Sequence, residues 1–334
     1  MTKSWSVTLE DLKIDQRSPG ISGFMRLRNE EQFLDAAIAS HLPGLDELVI
    51  VLNNCEDSTP EIAQSWQARF PEKIQIHDYD PVVWPPGSQE SLDIANGAPE
   101  SLANYYNYSL CLTSRQIVFK IDGDHIASPD RFKTCCGYVR KNLRRNERYP
   151  VYGINLVEVP EGLGVYNFYN LGNRIDGPKI GPTPLTDGET AFYYIDQKTW
   201  HVMDRAHGYE IMPLAHKIRH PGVDLTYLFF HMKGVKSDLG VGDWDRTSKG
   251  NIRQQWIDQV RELDPQNVAS IAELAEHLPY HFRGVRFLHD VETNLPGYRL
   301  LSPGEDLPRK LDALDIAKTG LSRLRCAWRK LRYG

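Results

Sequence analysis

The sequence has few cysteines, and none is spaced for a structural metal. Its five, Cys55, Cys111, Cys135, Cys136 and Cys326, are odd in number and contain no C-x-x-C pair. A zinc finger and a disulfide framework are therefore disfavoured, and reduced thiols of the cytosolic kind are expected. No G-x-x-x-x-G-K-[ST] occurs, which argues against a P-loop kinase or ATPase; no G-x-G-x-x-G opens a helix, which argues against a dinucleotide oxidoreductase. No apolar run approaches the roughly 18–20 residues needed to span a bilayer. The opening residues, MTKSWSVTLEDLKIDQ, carry acids and no apolar core, unlike a signal peptide. Basic residues form no stripe along the chain and the net charge is -5, so a general nucleic-acid binder is not expected. Internal repeats and low-complexity tracts are also missing.

What the 334 residues do contain is an ordinary globular balance, 41% hydrophobic and 25% charged. That length suits one large α/β domain with a smaller appendage, or two modest domains. A polar leader, 1–20, ends at Pro19-Gly20, and Ile21 to Leu27 has the pattern of a strand. Asn29 offers a helix N-cap with Gln32 at the capping-box position, ahead of apolar residues at helical spacing from Phe33 to Leu42. Glu47 to Leu52 (ELVIVL) is the near-continuous apolar run of a strand buried on both faces. Pro60 to Phe70 follows as a helix, with proline in its first turn, and Lys73 to His77 as a third strand. This alternation predicts a parallel sheet with helical crossovers.

An irregular proline- and glycine-rich stretch, 78–99, precedes a helix over Ser101 to Thr113 and a strand over Gln116 to Ile121. Further on, a helix is expected after Pro129-Asp130 and a strand near Tyr152 to Val159; beyond Lys236 the pattern turns helical, over 251–263, 270–278 and 308–332. The expected fold class is α/β, an open, mostly parallel sheet flanked by helices, with a helical C-terminal extension over 237–334.

The strand at 116–121 runs directly into Asp122-Gly123-Asp124-His125. A D-x-D pair is a common turn, since aspartate favours turns and caps. Its position changes the reading: ligands of open α/β sheets bind at the carboxyl ends of the strands. Two carboxylates on one tight turn repel unless a cation lies between them. Oxygen ligands select a hard ion such as Mg2+ or Mn2+, which also takes phosphate oxygens.

The ordered pieces ISGFMRLRNEE (21–31), VIVLNNCEDST (49–59), Tyr106-Asn107-Tyr108-Ser109 and IDGDHIASPD (121–130) together resemble the glycosyltransferase A fold, most closely family-2-type enzymes of bacterial polysaccharide and lipopolysaccharide assembly. The resemblance implies a catalytic domain over 21–236 that binds a nucleotide-diphosphate sugar. Asn29, Asn53, Asn54 and Asn107 would line the donor site, Asp122 would contact the ribose or the metal-bound diphosphate or join the metal site, and Asp124 would ligate the metal. Two positions depart from the family pattern. Asn53-Asn54 stand where an aspartate usually reads the base, and Tyr106 stands in place of an arginine.

Farther along, His231, Gly234 and Lys236 resemble, one residue short, a histidine–glycine–lysine motif of glycogenin-like and lipopolysaccharide galactosyltransferases. By that likeness His231 would be a further metal ligand and Lys236 a diphosphate contact; a histidine at a strand end can equally be structural. Inverting transfer needs a carboxylate base. Glu189, Asp187 and Glu210 fall where the family supplies one, with Glu189 favoured because it immediately precedes the apolar run Ala191 to Ile195. At the end of the chain, LSRLRCAWRKLRY (321–333) joins five cations to a Leu321, Leu324, Trp328, Leu331 stripe. It fits either an anionic membrane surface or a helix docked on the protein's own core.

The resulting expectation is a cytoplasmic transferase, peripheral on the inner membrane face if the basic segment binds lipid. It would use Mn2+ or Mg2+ to move a sugar onto a glycan or lipid-linked acceptor, with inversion. A nucleotidyltransferase and a non-catalytic glycan-binding protein of the same fold are the alternatives.

Overall fold

In the run Glu47–Leu52 every residue is buried, and neighbours point into different cores: Leu48, Ile50 and Leu52 into one, Val49 and Val51 into the other. That two-sided burial is what a central parallel strand requires. The computed structural model describes residues 4–127, 129–159, 162–166, 191–204, 209–219 and 227–236. In chain order these form β1 (Ser18–Leu27), α1 (Leu34–His41), β2 (Glu47–Leu52), α2 (Thr59–Arg69), β3 (Ile74–Asp78), the short α3 (Gln89–Asp93), α4 (Leu102–Leu112) and β4 (Arg115–Lys120). There follow β5 (His125–Ala127), α5 (Pro129–Asn142), β6 (Glu147–Pro150), β7 (Tyr152–Val159) and β8 (Gly162–Tyr166). The remaining strands are β9 (Ala191–Tyr194), β10 (Val202–Asp204), β11 (Tyr209–Ile211), β12 (Lys217–Ile218) and β13 (Tyr227–Gly234).

The main sheet has the order β12-β6-β9-β4-β1-β2-β3. Its β4-β1-β2-β3 block is parallel, while β9 runs antiparallel to both β4 and β6. This is the open, mostly parallel sheet flanked by helices that the alternating pattern predicted. One core, which includes Met25, Ile38, Phe119 and Phe132, lies between the sheet and helices α1 and α5; the other, with Phe24, Val118, Tyr105 and Tyr106, lies under α4.

Three local expectations are corrected. The helix after β1 begins at Leu34, not after an Asn29 cap. Asn29 takes φ 56°, and its Oδ1 accepts from Glu56 N at 2.8 Å. Glu30 N and Glu31 N donate to Thr59 Oγ1 (2.7 Å) and Asp57 Oδ2 (3.0 Å), so the β2–α2 loop takes the donors that a capping box would have used. The polar leader is integrated into the domain. Leu12 is fully buried, Trp5 packs edge-on against Tyr79 at 5.2 Å, and Arg17 donates to the carbonyls of Leu12, Leu110 and Arg115.

The third correction concerns a second sheet, β5-β13-β7-β8, which the sequence pattern did not announce. It begins directly at the acidic turn. Among the described residues no helix is long and apolar enough to cross a membrane. The expected helices beyond 236 lie outside the described residues.

Candidate functional site

The main sheet delivers the acidic turn, and the second sheet folds over it. Ile121 N donates to Phe24 O at 2.9 Å, which holds the end of β4 against β1. The chain then turns, with His125 N donating to Asp122 O at 3.1 Å, and enters β5. Strand β5 pairs antiparallel with β13, placing His125 opposite His231, and Met232 N donates to Asp124 O at 2.9 Å. Directly opposed residues share a face of a sheet, so the register alone brings the two imidazoles together, with ring centroids 4.7 Å apart. Just past β13 a tight turn, Lys236 N to Met232 O at 3.0 Å, carries Lys236 back toward the same point.

Side chains then converge on Asp124. His231 Nε2 and Lys236 Nζ each lie 3.6 Å from Asp124 Oδ2. Lys236 Nζ donates to both oxygens of Glu30 at 2.7 Å. Lys120 Nζ lies 2.9 Å from Asp122 Oδ2, and His125 Nε2 lies 3.5 Å from the same oxygen. Asp122 N donates to His125 Nδ1 at 3.4 Å, which leaves the proton of a neutral His125 on Nε2, facing that carboxylate. Gly123 is required by a close approach: a Cβ there would meet Glu30 Cβ at 2.6 Å and Cγ at 2.7 Å.

Burial opposes every charge in this cluster, and the neighbours decide the outcome. Asp122 is half-buried, and against that burial Lys120, then His125 and Arg26, hold its carboxyl far below the usual range. For Asp124 burial is again overridden, by Lys236 and the two histidines, and its carboxyl is lowered. Glu30 goes the other way. Burial, reinforced by Asp124 and only partly offset by Lys236, raises it above the usual carboxylate range. Burial lowers His125 to about 3 against the pull of Asp122. For Lys236 burial is outweighed by Asp124 and Glu30, which raise it above the normal lysine range.

Asp124, His125 and His231 each offer a ligand atom within 4.8 Å of the others. A carboxylate oxygen with imidazole nitrogens suits Mn2+ or a similar divalent ion. His231 is the better placed imidazole, because both nitrogens of His125 already face Asp122 groups. Beside this cluster Arg26 lies 3.0 Å over the Tyr106 ring and 4.0 Å from Glu210 Oε1, and its charge reaches Asp122. Tyr106 thus carries an arginine from β1 on its face.

Of the residues expected at the site, the structure brings together Asp122, Asp124, His231 and Lys236. The asparagines are engaged elsewhere. Asn53 donates to Tyr79 O and Pro81 O at 2.7 and 2.8 Å, and Asn54 reaches Asp80 O at 3.3 Å, so both tie β2 to the loop after β3. Asn107 is buried and brackets the backbone of His201, donating to its O and accepting from its N, both at 2.9 Å. Asn29 holds Glu56 N. Glu189 and Asp187 lie outside the described residues. Sequence reasoning missed Glu30, Lys120 and Arg26 as site residues. Each had one available signal, its position at or just beyond the carboxyl end of a buried strand.

Residues 8–152 match the family described as beta-1,4-N-acetylgalactosaminyltransferase (CgtA). No curated protein sequence matches. Solved structures similar to this chain include glucosyl-3-phosphoglycerate synthase from Mycobacterium tuberculosis in complex with Mn2+, uridine-diphosphate and phosphoglyceric acid. It shows 20% identity over 46% of this chain and 49% of that one, with a TM-score of 0.30, so the match spans about half the length of the mycobacterial enzyme. S. aureus TarS shows 12% identity over 78% of this chain and 82% of that one, with a TM-score of 0.36. The open, mostly parallel sheet is thus a glycosyltransferase A-like α/β fold, and the family match over 8–152 lies within it.

Proposed function

We propose that the protein transfers a sugar from a nucleotide-diphosphate donor to a glycan or lipid-linked acceptor, with Mn2+ or Mg2+ held by Asp124 and His231. The observation that carries this reading is the convergence of Asp124, His231 and Lys236 at the carboxyl end of β4, where His231 Nε2 and Lys236 Nζ both lie 3.6 Å from one Asp124 oxygen. A divalent ion bound there would stabilise the negative charge that develops on the departing diphosphate.

The chain's own residues supply the rest. Asp124 and His231 present ligand atoms, Lys236 would contact the diphosphate, and Lys120 and Arg26 hold Asp122 ionised. Asp124 and His125 are buried where the second sheet begins, which strengthens their interactions. Inversion is the stereochemical course we favour. The family matched over 8–152 is named for a β-1,4 linkage, which inversion of an α-linked donor produces. Glu189 remains our candidate for the base, with Asp187 beside it. The basic 321–333 segment is proposed to hold the protein against an anionic membrane surface on the cytoplasmic side.

A thermal-shift panel tests the donor class. Nucleoside diphosphates and their sugars, with an N-acetylgalactosaminyl donor included, would be screened with and without Mn2+. Specific binding at 100 times Kd stabilises by about 2.7 kcal/mol. A Mn2+-dependent shift for one nucleotide series is expected. No shift with any nucleotide would overturn the reading.

A further inference from the structure

The acids at the turn already have protein cations. Lys120 lies 2.9 Å from Asp122 Oδ2, and Lys236 bonds both oxygens of Glu30 at 2.7 Å. That same Lys236 ammonium lies 3.6 Å from the Asp124 oxygen that also faces His231. A divalent ion arriving alone would meet a site whose charge is largely balanced, with an ammonium beside one of its ligand atoms. Like charges at such a distance inside a protein repel strongly. Lys236 cannot simply swing away, since its side chain is buried, Glu30 grips it bidentately, and Glu30 is packed against Gly123.

A diphosphate changes this balance. Its oxygens give Lys236 a new anionic partner and give the metal additional ligands, so the ion and the diphosphate each remove the obstacle to the other. We infer that Lys236, positioned by Glu30, is a resident cation that makes divalent-ion binding at Asp124 and His231 conditional on a diphosphate, so that the two bind as a unit. The inference rests on the proposed metal site and adds to it a binding order and a positioning role for Glu30.

The test is Mn2+ binding by the full chain without any sugar donor, read by the free-Mn2+ electron paramagnetic resonance signal. Wild type should bind Mn2+ alone weakly. Lys236→Met should bind it about tenfold more tightly or better, and Lys236→Arg, which keeps the charge, should stay like wild type. Removing one member of a buried pair can unfold a protein, so the double variant Glu30→Gln/Lys236→Met is the companion, and it too should gain affinity. In the reciprocal arm, equilibrium dialysis of labelled UDP, GDP and CDP should show wild-type affinity for one of them rising about tenfold or more with Mn2+, and the rise should shrink in the double variant.

Equal Mn2+ affinity in wild type and both charge-removed proteins would overturn the inference, as would wild-type binding of Mn2+ alone as tight as with the diphosphate. Failure of the metal site itself looks different: no form would then bind Mn2+ under any condition.

Discussion

Lowering the pH from 7 to 4 should destabilise the domain through His41, a residue in the last turn of α1 that takes no part in the site. Its ring packs edge-on against Phe132 at 4.6 Å and stacks on Phe119 at 6.2 Å, so it sits between α1, α5 and the strand that leads to the acidic turn. Nδ1 lies 2.8 Å from Ala37 O, which can only accept, so Nδ1 carries the proton of the neutral ring. Burial disfavours the imidazolium, against the smaller pull of that carbonyl, and lowers the group from 6.5 to about 4.

The sign of the effect follows from proton binding. Between pH 6.5 and 4 the unfolded chain takes a proton on His41 that the folded chain does not. Stability therefore falls as pH falls through that window and is unaffected by this residue above it. A difference of about 2.5 pKa units, at 1.36 kcal/mol each, corresponds to about 3 kcal/mol. Urea denaturation at pH 7, 6, 5 and 4 would be run on wild type and on His41→Leu. The variant starts from its own pH 7 stability but should lose about 3 kcal/mol less than wild type on acidification. Parallel pH profiles for the two proteins would refute the reasoning.

Other predictions concern three single positions and the terminal segment. Gly123→Ala should cost about 1–3 kcal/mol by overpacking against Glu30, and should also weaken Mn2+-dependent nucleotide binding; a calorimetric titration with unchanged affinity would contradict this. Asn107→Leu removes both hydrogen bonds to the His201 backbone and should cost about 1–3 kcal/mol, read by thermal denaturation. Glu189→Gln should lower turnover about 10²–10⁴-fold with donor affinity nearly unchanged; a nearly fully active variant together with a retained anomer by product NMR would show the wrong base and the wrong stereochemical course. Removing 308–334 should release the protein from anionic liposomes while donor hydrolysis persists; equal liposome binding would argue for a docked helix.

The parallel half of the fold was legible because its signals are local. A two-sided apolar run gave β2, a proline in the first turn gave α2, and the aspartates at a strand end marked the turn. Asn29 misled because its cap chemistry is real but used differently: the backbone donors that follow it go to Thr59 and Asp57, on another loop. The second sheet could not be seen, since β5 has three residues and exists through a pairing with β13 about a hundred positions away. For the same reason His231 and Lys236 could be joined to Asp124 only through their resemblance to a family motif, since no local signal carries the pairing. Glu30 escaped altogether, because an acid in an expected first helical turn already had an ordinary explanation. Asn53 and Asn107 show the converse. A polar residue matching a binding pattern can use its amide to fasten the scaffold.

If Asp124 and His231 hold a divalent ion that supports sugar transfer, loss of either ligand removes metal-dependent turnover. This is tested most directly by measuring nucleoside-diphosphate release from the donor that the thermal-shift panel identifies. Wild type, Asp124→Ala and His231→Ala would be assayed with Mn2+ and after chelation. Release should require Mn2+, be abolished in Asp124→Ala and be strongly reduced in His231→Ala, with both variants remaining folded by circular dichroism. Full release in excess EDTA, or from a folded Asp124→Ala protein, would contradict this.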